Sequence, residues 1–458
     1  MSKTSYVTRT QTLLIVKPNN PLFKTIDDLS FKAKNIYNSA LYLCRQTYFE
    51  HKQPISYTAL NSLHKDLYST DYKNLPIQTT QQILQVVSKN MKAFINASKD
   101  FYKNPQKYKA KPKLPNYKNS SKGRFNIYFT NQQVKFKDGY IHFPASTNIP
   151  PLKTHLNLQT PETDSMLPKS STDNPIRQLR IIPLLNCYRI EIVYDKEISI
   201  PEPKEKIQCI ASIDLGINNF STIVTYGPKP NRPLILNGKG LKSYNKNFNK
   251  KLSKLKSQLA IQNNKTQSLK DTNHSTKAIR NLFSKRNRVY NDFYHKASRT
   301  IVNYLLENEV SILIIGYNQG WKQESSLSKK INQTFIQIGF NIFVKILTYK
   351  AQEQGIRVIL QEESYSSGTS FLDKESVTKE FYNKTRRLKR GLFKHNNQTD
   401  FKYPYINADI NSAFQILSKA TSNKLTYNSE FITQQSITPR VINIDTFQRT
   451  KTNTKKAS

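Results

Sequence analysis

The stretch that decides the fold is "IQCIASIDLGINNFSTIVTY", residues 207–226. Its first half is an apolar run that reaches Asp214, and its second half, "FSTIVTY", is rich in β-branched and aromatic residues. Two such runs, separated by Gly and Asn residues, predict two consecutive buried strands. Asp214 therefore ends a buried strand, in a chain that has few acidic residues.

The rest of the second half alternates strands with helices. The stretches "VSILIIG" and "IRVILQEE" predict strands, while "FIQIGFNIFVKILTYKAQEQG" and "YINADINSAFQILSKA" predict helices. Ahead of them, residues 241–309 have the periodicity of a long pair of basic, amphipathic helices. This alternation predicts an α/β domain over residues 207–420, with residues 241–309 as a helical insertion.

The N-terminal half has a different pattern. Residues 1–22 and 106–200 contain short runs of β-forming residues, including the hairpin signal "KDGY". Residues 23–105 carry apolar residues at helical spacing. We expect a small β-barrel module with a helical insertion at 23–105. Residues 421–458 are polar and basic, and the composition predicts a disordered tail.

The charge of the chain indicates its class of partner. Lys and Arg number 71 against 31 Asp and Glu, which gives a formal net charge of +40. So large a positive charge favours a nucleic acid as partner, and 26 Tyr and 23 Phe offer rings for base stacking. No apolar run approaches the roughly 20 residues that span a membrane. We expect a cytoplasmic, nucleoid-associated protein that binds no membrane.

Four acidic residues occupy positions that suit metal binding. Asp214 ends one strand, Glu362 and Glu363 end another in "VILQEESYSS", and Asp409 lies in the first turn of a helix in "NADINSAF". Converging carboxylates bind Mg²⁺ or Mn²⁺, and a pair of such ions hydrolyses phosphodiesters. In a chain of charge +40 this predicts a metal-dependent nuclease. The alternative is local structure, since each acid alone could satisfy a loop or a helix start.

The motifs together resemble the TnpB family, the OrfB-type proteins of insertion sequences. "SIDLGINNFSTI" is similar to the first RuvC motif of that family and "NADINSAFQIL" to the third, while "KDGYIHFP" resembles its wedge module. The resemblance covers most of the chain. It implies a RuvC-like domain of RNase H fold behind wedge and recognition modules. It also implies an RNA-guided DNA endonuclease, with a guide RNA from the transposon end and double-stranded target DNA as partners.

The chain departs from the family pattern in two places. The family often carries a zinc ribbon before the last catalytic Asp, whereas residues 364–406 contain no cysteine, so we expect no structural zinc. The family's second catalytic acid usually ends the strand that here reads "ILIIGYN", and Gly316 occupies that position.

The missing acid is either relocated or lost. The "IRVILQEE" strand should lie beside "ILIIGYN", about 4.8 Å away, so a glutamate from its end could reach the space beside Gly316. Successive strand residues point to opposite faces, so only one of Glu362 and Glu363 faces the metals, and we favour Glu363. The resemblance implies a subgroup with such a relocated glutamate. The alternatives are a nuclease-dead RNA-guided repressor and a simple DNA-binding accessory protein.

Candidate contacts to nucleic acid lie on the two long basic helices, in the segment before Asp409 and near the start of the second group of strands. They are Lys250, Lys251, Lys254, Lys285, Arg286, Arg288, Arg386, Arg387, Lys389, Arg390, Arg124 and Tyr128. Basic side chains of this kind contact phosphates. A solvated helix face or packing in a β-barrel core would explain any single one of them nearly as well.

Overall fold

The structure is a computed structural model. The chain divides into two compact units: one is Ser5–Ile198, and the other is formed by Met1–Thr4 together with Ser199–Ser458. The structure describes residues 3–108, 110–156, 158–159, 174–200, 209–228, 231–264, 275–317, 337–389, 391–396, 404–422 and 437–444. Ser5–Ile198 is called the N-terminal unit and the other the C-terminal unit.

Two sheets form the β part of the N-terminal unit. One has five strands in the order β1–β8–β7–β2, with β6 beside β7, and the other has three in the order β3–β4–β5. The strands are β1 (Lys3–Val16), β2 (Ile127–Thr130), β3 (Lys135–Lys137), β4 (Tyr140–His142), β5 (Leu152–Lys153), β6 (Leu158–Gln159), β7 (Asn174–Pro183) and β8 (Tyr188–Ile200). The hairpin predicted at "KDGY" joins β3 to β4, and its Asp138 and Gly139 both have positive φ.

Helices fill the range in which the sequence predicted a helical insertion. They are α1 (Leu22–His51), α2 (Tyr57–Leu67), α3 (Ser69–Lys73) and α4 (Ile77–Lys103). Apolar residues at helical spacing, such as Ile26 and Ala33 of α1 and Ile83 and Val87 of α4, are fully buried. Because these faces share one core with Ile127 and the other inner residues of the five-stranded sheet, the helices and the sheet are one folding unit.

The C-terminal unit is built on a mixed six-stranded sheet in the order β13–β12–β9–β10–β11–β16. Its strands are β9 (Ile210–Leu215), β10 (Asn219–Tyr226), β11 (Leu234–Asn237), β12 (Ile312–Gly316), β13 (Arg357–Gln361) and β16 (Arg440–Ile442). A separate hairpin pairs β14 (Phe393–Lys394) with β15 (Tyr405–Ile406). In the six-stranded sheet, β12 runs parallel to both β9 and β13, whereas β10 is antiparallel to β9.

Helices cover both faces of this sheet, which explains why its strands read as continuous apolar runs. The helices are α5 (Lys239–Asn264), α6 (Lys277–Glu307), α7 (Phe340–Gln352) and α8 (Ala408–Ala420). Ile213 and Ile315 belong to the core that contains residues of α6 and α7. Ile314 belongs instead to the core that contains residues of α8. Every second side chain along a strand therefore faces α8, and only these side chains can contact one another on the face that α8 covers.

The predicted disordered tail is wrong for its described part. Residues 440–442 form β16, which pairs in parallel with β11 and places Arg440 opposite Leu234. Ile442 and Ile444 pack against the core of the C-terminal unit. The stretch was missed because three residues give too short a pattern, and because an edge strand needs only one apolar face. The rest of the predicted tail, residues 423–436 and 445–458, lies outside the described residues.

Candidate active site

Parallel strands bring three of the predicted positions to one edge of the six-stranded sheet. Ile315 of β12 lies opposite Ile213 of β9, and Gly316 lies opposite Gln361 of β13. Asp214 follows Ile213 directly, and Glu363 follows two residues after Gln361. Because the carboxyl ends of parallel strands meet at the same edge, Asp214, Gly316 and Glu363 lie at one place.

The face that these residues share is the one covered by α8. Ser212, two residues before Asp214, donates its hydroxyl to the backbone oxygen of Ala413 at 2.6 Å and so fixes α8 on β9. Ile314, two residues before Gly316, packs in the same core as α8. The period of two along a strand then points Asp214 toward α8, the helix whose first turn contains Asp409.

Glu363 lies over the backbone of Gly316. A Cβ atom built on Gly316 would lie 2.7 Å from Glu363 Oε2, 2.6 Å from Ile416 Cδ1 and 3.2 Å from the backbone oxygen of Ile213. Real Cβ atoms do not approach other atoms as closely as the first two distances, so a side chain at position 316 would have to push aside the ends of the Glu363 and Ile416 side chains. The space that Gly316 leaves is filled by the carboxyl group of Glu363 and by Ile416.

Glu362 is held elsewhere. Its Oε2 accepts a hydrogen bond from Lys419 Nζ near the end of α8, and its Oε1 accepts one from the backbone nitrogen of Ser364 at 2.8 Å. Its side chain is 52% exposed. Burial acts to raise the pKa of Glu362, but the hydrogen bonds from Lys419 and Ser364 prevail and lower it. Glu362 therefore behaves as a charged partner of Lys419.

Asp409 is positioned by the start of α8. The side chain of Asn407 caps this helix by accepting hydrogen bonds from the backbone nitrogens of Asp409, at 3.0 Å, and Ile410, at 3.2 Å. Asp409 Oδ2 accepts a hydrogen bond from Asn219 Nδ2 at 2.7 Å, and Oδ1 accepts one from the Arg387 guanidinium at 2.9 Å. Both oxygens of this carboxylate thus have partners.

The three carboxylates act on one another through their charges. Burial raises the pKa of Asp214 well above its ordinary value, and the charges of Glu363 and Asp409 raise it further, whereas Arg387 lowers it. A buried acid whose pKa is raised by two other acids is an arrangement in which added positive charge is stabilising. Such clustering of perturbed acids is typical of functional sites.

The donor atoms fit a hard divalent cation. Asp214, Glu363 and Asp409 offer only carboxylate oxygens, which suit Mg²⁺ or Mn²⁺ better than zinc. Within the part of the chain that the structure describes, however, no group of three His, Cys, Asp or Glu side chains is arranged as a metal site. Both oxygens of Asp409 are bound by Asn219 and Arg387. Asp214, Glu363 and Asp409 are the residues that could hold such an ion.

Residues 189–322, which include β9 to β12, match the model of the OrfB family of IS605-type elements, described as a probable transposase. Over these residues the chain is similar to that family. This confirms the resemblance in the motifs around Asp214. No curated protein matches the sequence.

The expected α/β fold is confirmed by a solved structure. The complex of Cas12f1 with single-guide RNA and target DNA is similar with a TM-score of 0.50 and 14% identity, over 86% of this chain and 82% of that one. The mini-RNA-guided endonuclease Cas_phi3 has a TM-score of 0.42 and 10% identity, over 93% of each chain. At that score the second similarity is too low to show a shared fold.

The segment before Asp409, over residues 373–396, has its own polar network. The Arg386 guanidinium lies 3.4 Å from Asp373 Oδ2 and 2.5 Å from Glu375 Oε1. Asp373 also accepts hydrogen bonds from the backbone nitrogen of Asn396, at 2.9 and 3.1 Å. Arg386 therefore stabilises the fold of this segment, and its contact with phosphate stays a prediction.

The other predicted nucleic-acid contacts divide into exposed residues and residues used in packing. Lys250, Lys251, Lys254, Lys285, Arg288 and Lys389 are exposed. Arg390 lies outside the described residues. Arg286 donates to the backbone oxygen of Gln337 at 2.6 Å and lies over the ring of Tyr290. It is therefore a packing residue.

Arg124 and Tyr128 also serve the fold of the N-terminal unit. Arg124 donates to both oxygens of Asp27, at 2.8 and 2.6 Å, and Asp27 accepts a third hydrogen bond from the Tyr188 hydroxyl. The Tyr128 hydroxyl accepts from Asn126, and its ring packs against the core. The sequence could not reveal these roles, because Asp27 and Tyr188 are far from Arg124 along the chain.

Two residues of the site were missed. Asn219 holds Asp409 and follows the first motif, so its only sequence signal was its place in "GINN". Asn411 is fully buried in α8, where it accepts from the backbone nitrogen of Phe371 and donates to the backbone oxygen of Thr369. A polar residue on the buried face of a helix was the signal, since such a group must be hydrogen-bonded.

Proposed function

We propose that this protein is an RNA-guided DNA endonuclease of a transposon, which cuts target DNA at a RuvC-like site formed by Asp214, Glu363 and Asp409. The observation that carries the proposal is the position of the Glu363 carboxyl group over Gly316 and within the field of Asp214. Loss of the second acid alone would not be expected to leave a carboxylate over Gly316.

The chemistry follows from the three carboxylates. A bound pair of Mg²⁺ or Mn²⁺ ions activates water and stabilises the leaving oxygen of a phosphodiester. Asp214 of β9 and Glu363, which follows β13, come from the two strands that flank β12. They would hold the ions at the sheet edge, with Asp409 as the third ligand. Asn219 fixes the orientation of the Asp409 carboxylate by its hydrogen bond of 2.7 Å.

The partners proposed are a guide RNA from the transposon end and double-stranded target DNA. The net charge of +40 supports partners with a phosphate backbone. The similar Cas12f1 structure contains a single-guide RNA and target DNA. In guided systems base pairing reads the sequence while the protein holds the backbone, so exposed lysines such as Lys250 and Lys254 of α5 would suit that task.

A cleavage assay tests the proposal. The protein is purified with RNA from the transposon end and offered a matched DNA duplex with Mg²⁺. We expect cleavage that requires the RNA and is abolished by Asp214→Ala and by Glu363→Ala. Glu362→Ala is the matched control, because Glu362 is bound to Lys419 and should leave most of the cleavage intact.

The remaining results identify the alternatives. Guide-dependent binding without any cleavage would indicate a nuclease-dead repressor. If RNA has no effect on binding to a matched duplex, both guided functions fail and a simple DNA-binding accessory protein remains.

A further inference from the structure

The third carboxylate of the site is bound to a cation of the protein itself. Arg387 donates to Asp409 Oδ1 at 2.9 Å, and the side chains are 35% and 21% exposed. Asn219 takes the other oxygen of Asp409. The positive charge of Arg387 also acts on Asp214. One arginine therefore counters the charge of the carboxylate cluster where a metal ion would do so.

The position of Arg387 is set by its neighbour in the chain. Arg386 pairs with Asp373 and Glu375, and it is only 19% exposed. The backbone oxygen of Glu375 accepts a hydrogen bond from Gln415 Nε2 of α8 at 3.3 Å. These contacts hold the segment against the helix that carries Asp409. They therefore place Arg387 beside the Asp409 carboxylate.

We propose that Arg387 is an internal counter-ion of the candidate site, which competes with the divalent metal for Asp409. This rests on the proposed function and deepens it, by stating how the site is held before the metal binds. In the metal-free protein Arg387 holds one oxygen of Asp409. Arg387 would have to release this oxygen for Asp409 to bind a metal with it, so the affinity measured for the metal would include the cost of breaking the Arg387–Asp409 pair.

The competition has a simple physical basis. A guanidinium and a divalent cation both bind carboxylate oxygens, and they repel each other when both are close. Asn219 does not compete in this way, because its amide is neutral and can keep its hydrogen bond to one oxygen of Asp409 when the other binds a metal. Removal of the Arg387 charge should therefore strengthen metal binding, whereas removal of a true ligand weakens it.

The test is calorimetric titration of Mn²⁺ into the full chain without nucleic acid. Arg387→Gln should bind Mn²⁺ roughly fivefold more tightly than the unmodified protein, the change expected when a partly exposed ion pair no longer has to be broken. Arg387→Lys keeps the charge and should fall between the two. Lys389→Ala removes an exposed charge two residues away and should leave the affinity unchanged. Thermal unfolding of each variant checks that it is folded.

Asp214→Asn separates failure of this inference from failure of the proposed function. If the unmodified protein and Arg387→Gln both bind no Mn²⁺ that depends on Asp214, the metal site of the proposed function fails, and the inference with it. If Asp214-dependent binding is present and Arg387→Gln leaves it unchanged or weakens it, the inference alone is overturned. Tighter, Asp214-dependent binding by Arg387→Gln supports both.

Discussion

Gly316 and Glu363 share one space. A side chain at position 316 would place its Cβ 2.7 Å from Glu363 Oε2, so the Glu363 carboxyl group would have to leave the position that it occupies. The two residues are therefore coupled by sterics as well as by their proposed role. The glycine at the end of β12 leaves room for a carboxyl group that comes from the end of β13 to approach Asp214 on β9.

Gly316→Ala should reduce cleavage by about tenfold or more, because the new methyl group displaces the Glu363 carboxyl from Asp214, and misplacement of a reacting group by about 1 Å has large effects on rate. Overpacking against Ile416 and the Ile213 backbone should also cost about 1–3 kcal/mol of unfolding free energy. The rate of guided cleavage and the melting temperature measure the two effects.

Gly339→Ala is a matched control for this prediction. Its Cβ would lie 3.2 Å from the Tyr294 hydroxyl, so it perturbs packing at the start of α7 rather than at the carboxylates. If Gly316→Ala cleaved DNA as fast as Gly339→Ala, Glu363 would not depend on the space beside Gly316.

The choice between Glu362 and Glu363 shows what could and could not be predicted from the sequence. The alternation of side chains along a strand predicted that only one of the two faces the site, and geometry brings Glu363 to Gly316 and Glu362 to Lys419. The sequence analysis favoured Glu363, but alternation alone could not decide between the two residues, because the choice depends on which face of the sheet α8 covers. That is a property of the packed domain, which no local pattern contains.

Glu362→Gln should lower cleavage only a few-fold, through the position of its neighbour. The ion pair with Lys419 fixes the turn after β13, and Lys419 also donates to the Ser364 backbone oxygen at 3.1 Å. The Glu363 backbone oxygen keeps a hydrogen bond from the Ser366 hydroxyl at 2.8 Å, so the turn should largely persist. Outer partners of metal ligands typically contribute about 10–100-fold when they contact the ligand directly, and Glu362 does not.

Cleavage rates over a series of Mn²⁺ concentrations measure this effect. Glu362→Gln should require more metal for half-maximal cleavage, and Lys419→Met should behave the same way. Complete loss of cleavage in Glu362→Gln, with retention in Glu363→Gln, would reverse the assignment of the pair.

Asp214→Asn should stabilise the metal-free protein at neutral pH. Burial and the charges of Glu363 and Asp409 hold the pKa of Asp214 well above its unfolded value near 3.8, so the folded state binds more protons than the unfolded state between those two values. Stability from this group therefore falls as the pH rises through that window. The asparagine has no such dependence, so its advantage should shrink as the pH falls toward 4.

Melting temperatures in the presence of a chelator, from about pH 4.5 to 8, check this prediction. Excess Mg²⁺ should raise the melting temperature of the unmodified protein and leave Asp214→Asn unchanged, since binding to the folded state alone adds stability. An asparagine variant that is less stable than the unmodified protein at every pH would contradict the repulsion within the cluster.

The basic residues were the least predictable part of the chain. Lys250 and Lys254 are exposed, as a phosphate contact requires, but Arg124 is engaged with Asp27 and Arg286 with Gln337. Charge and spacing are the same in both groups, and only a partner that is distant in sequence separates them. The same holds for Arg387, whose contact with Asp409 joins two segments with no common local pattern.

Removal of β16 should destabilise the C-terminal unit, although it lies far along the chain from every carboxylate of the site. The strand completes the edge of the sheet beside β11, Arg440 donates its backbone nitrogen to the Pro233 oxygen at 2.7 Å, and Ile442 packs against the core. A chain that ends at Ser422 loses these contacts. Ile442 is only partly buried, so the loss of its packing should cost less than the about 1.5–3 kcal/mol of a fully buried isoleucine. A chain that ends at Ile444 keeps them and is the matched control.

We expect the melting temperature to fall by several degrees for the first truncation and to change little for the second. Equal melting temperatures for the two truncated chains would show that β16 adds nothing to the sheet.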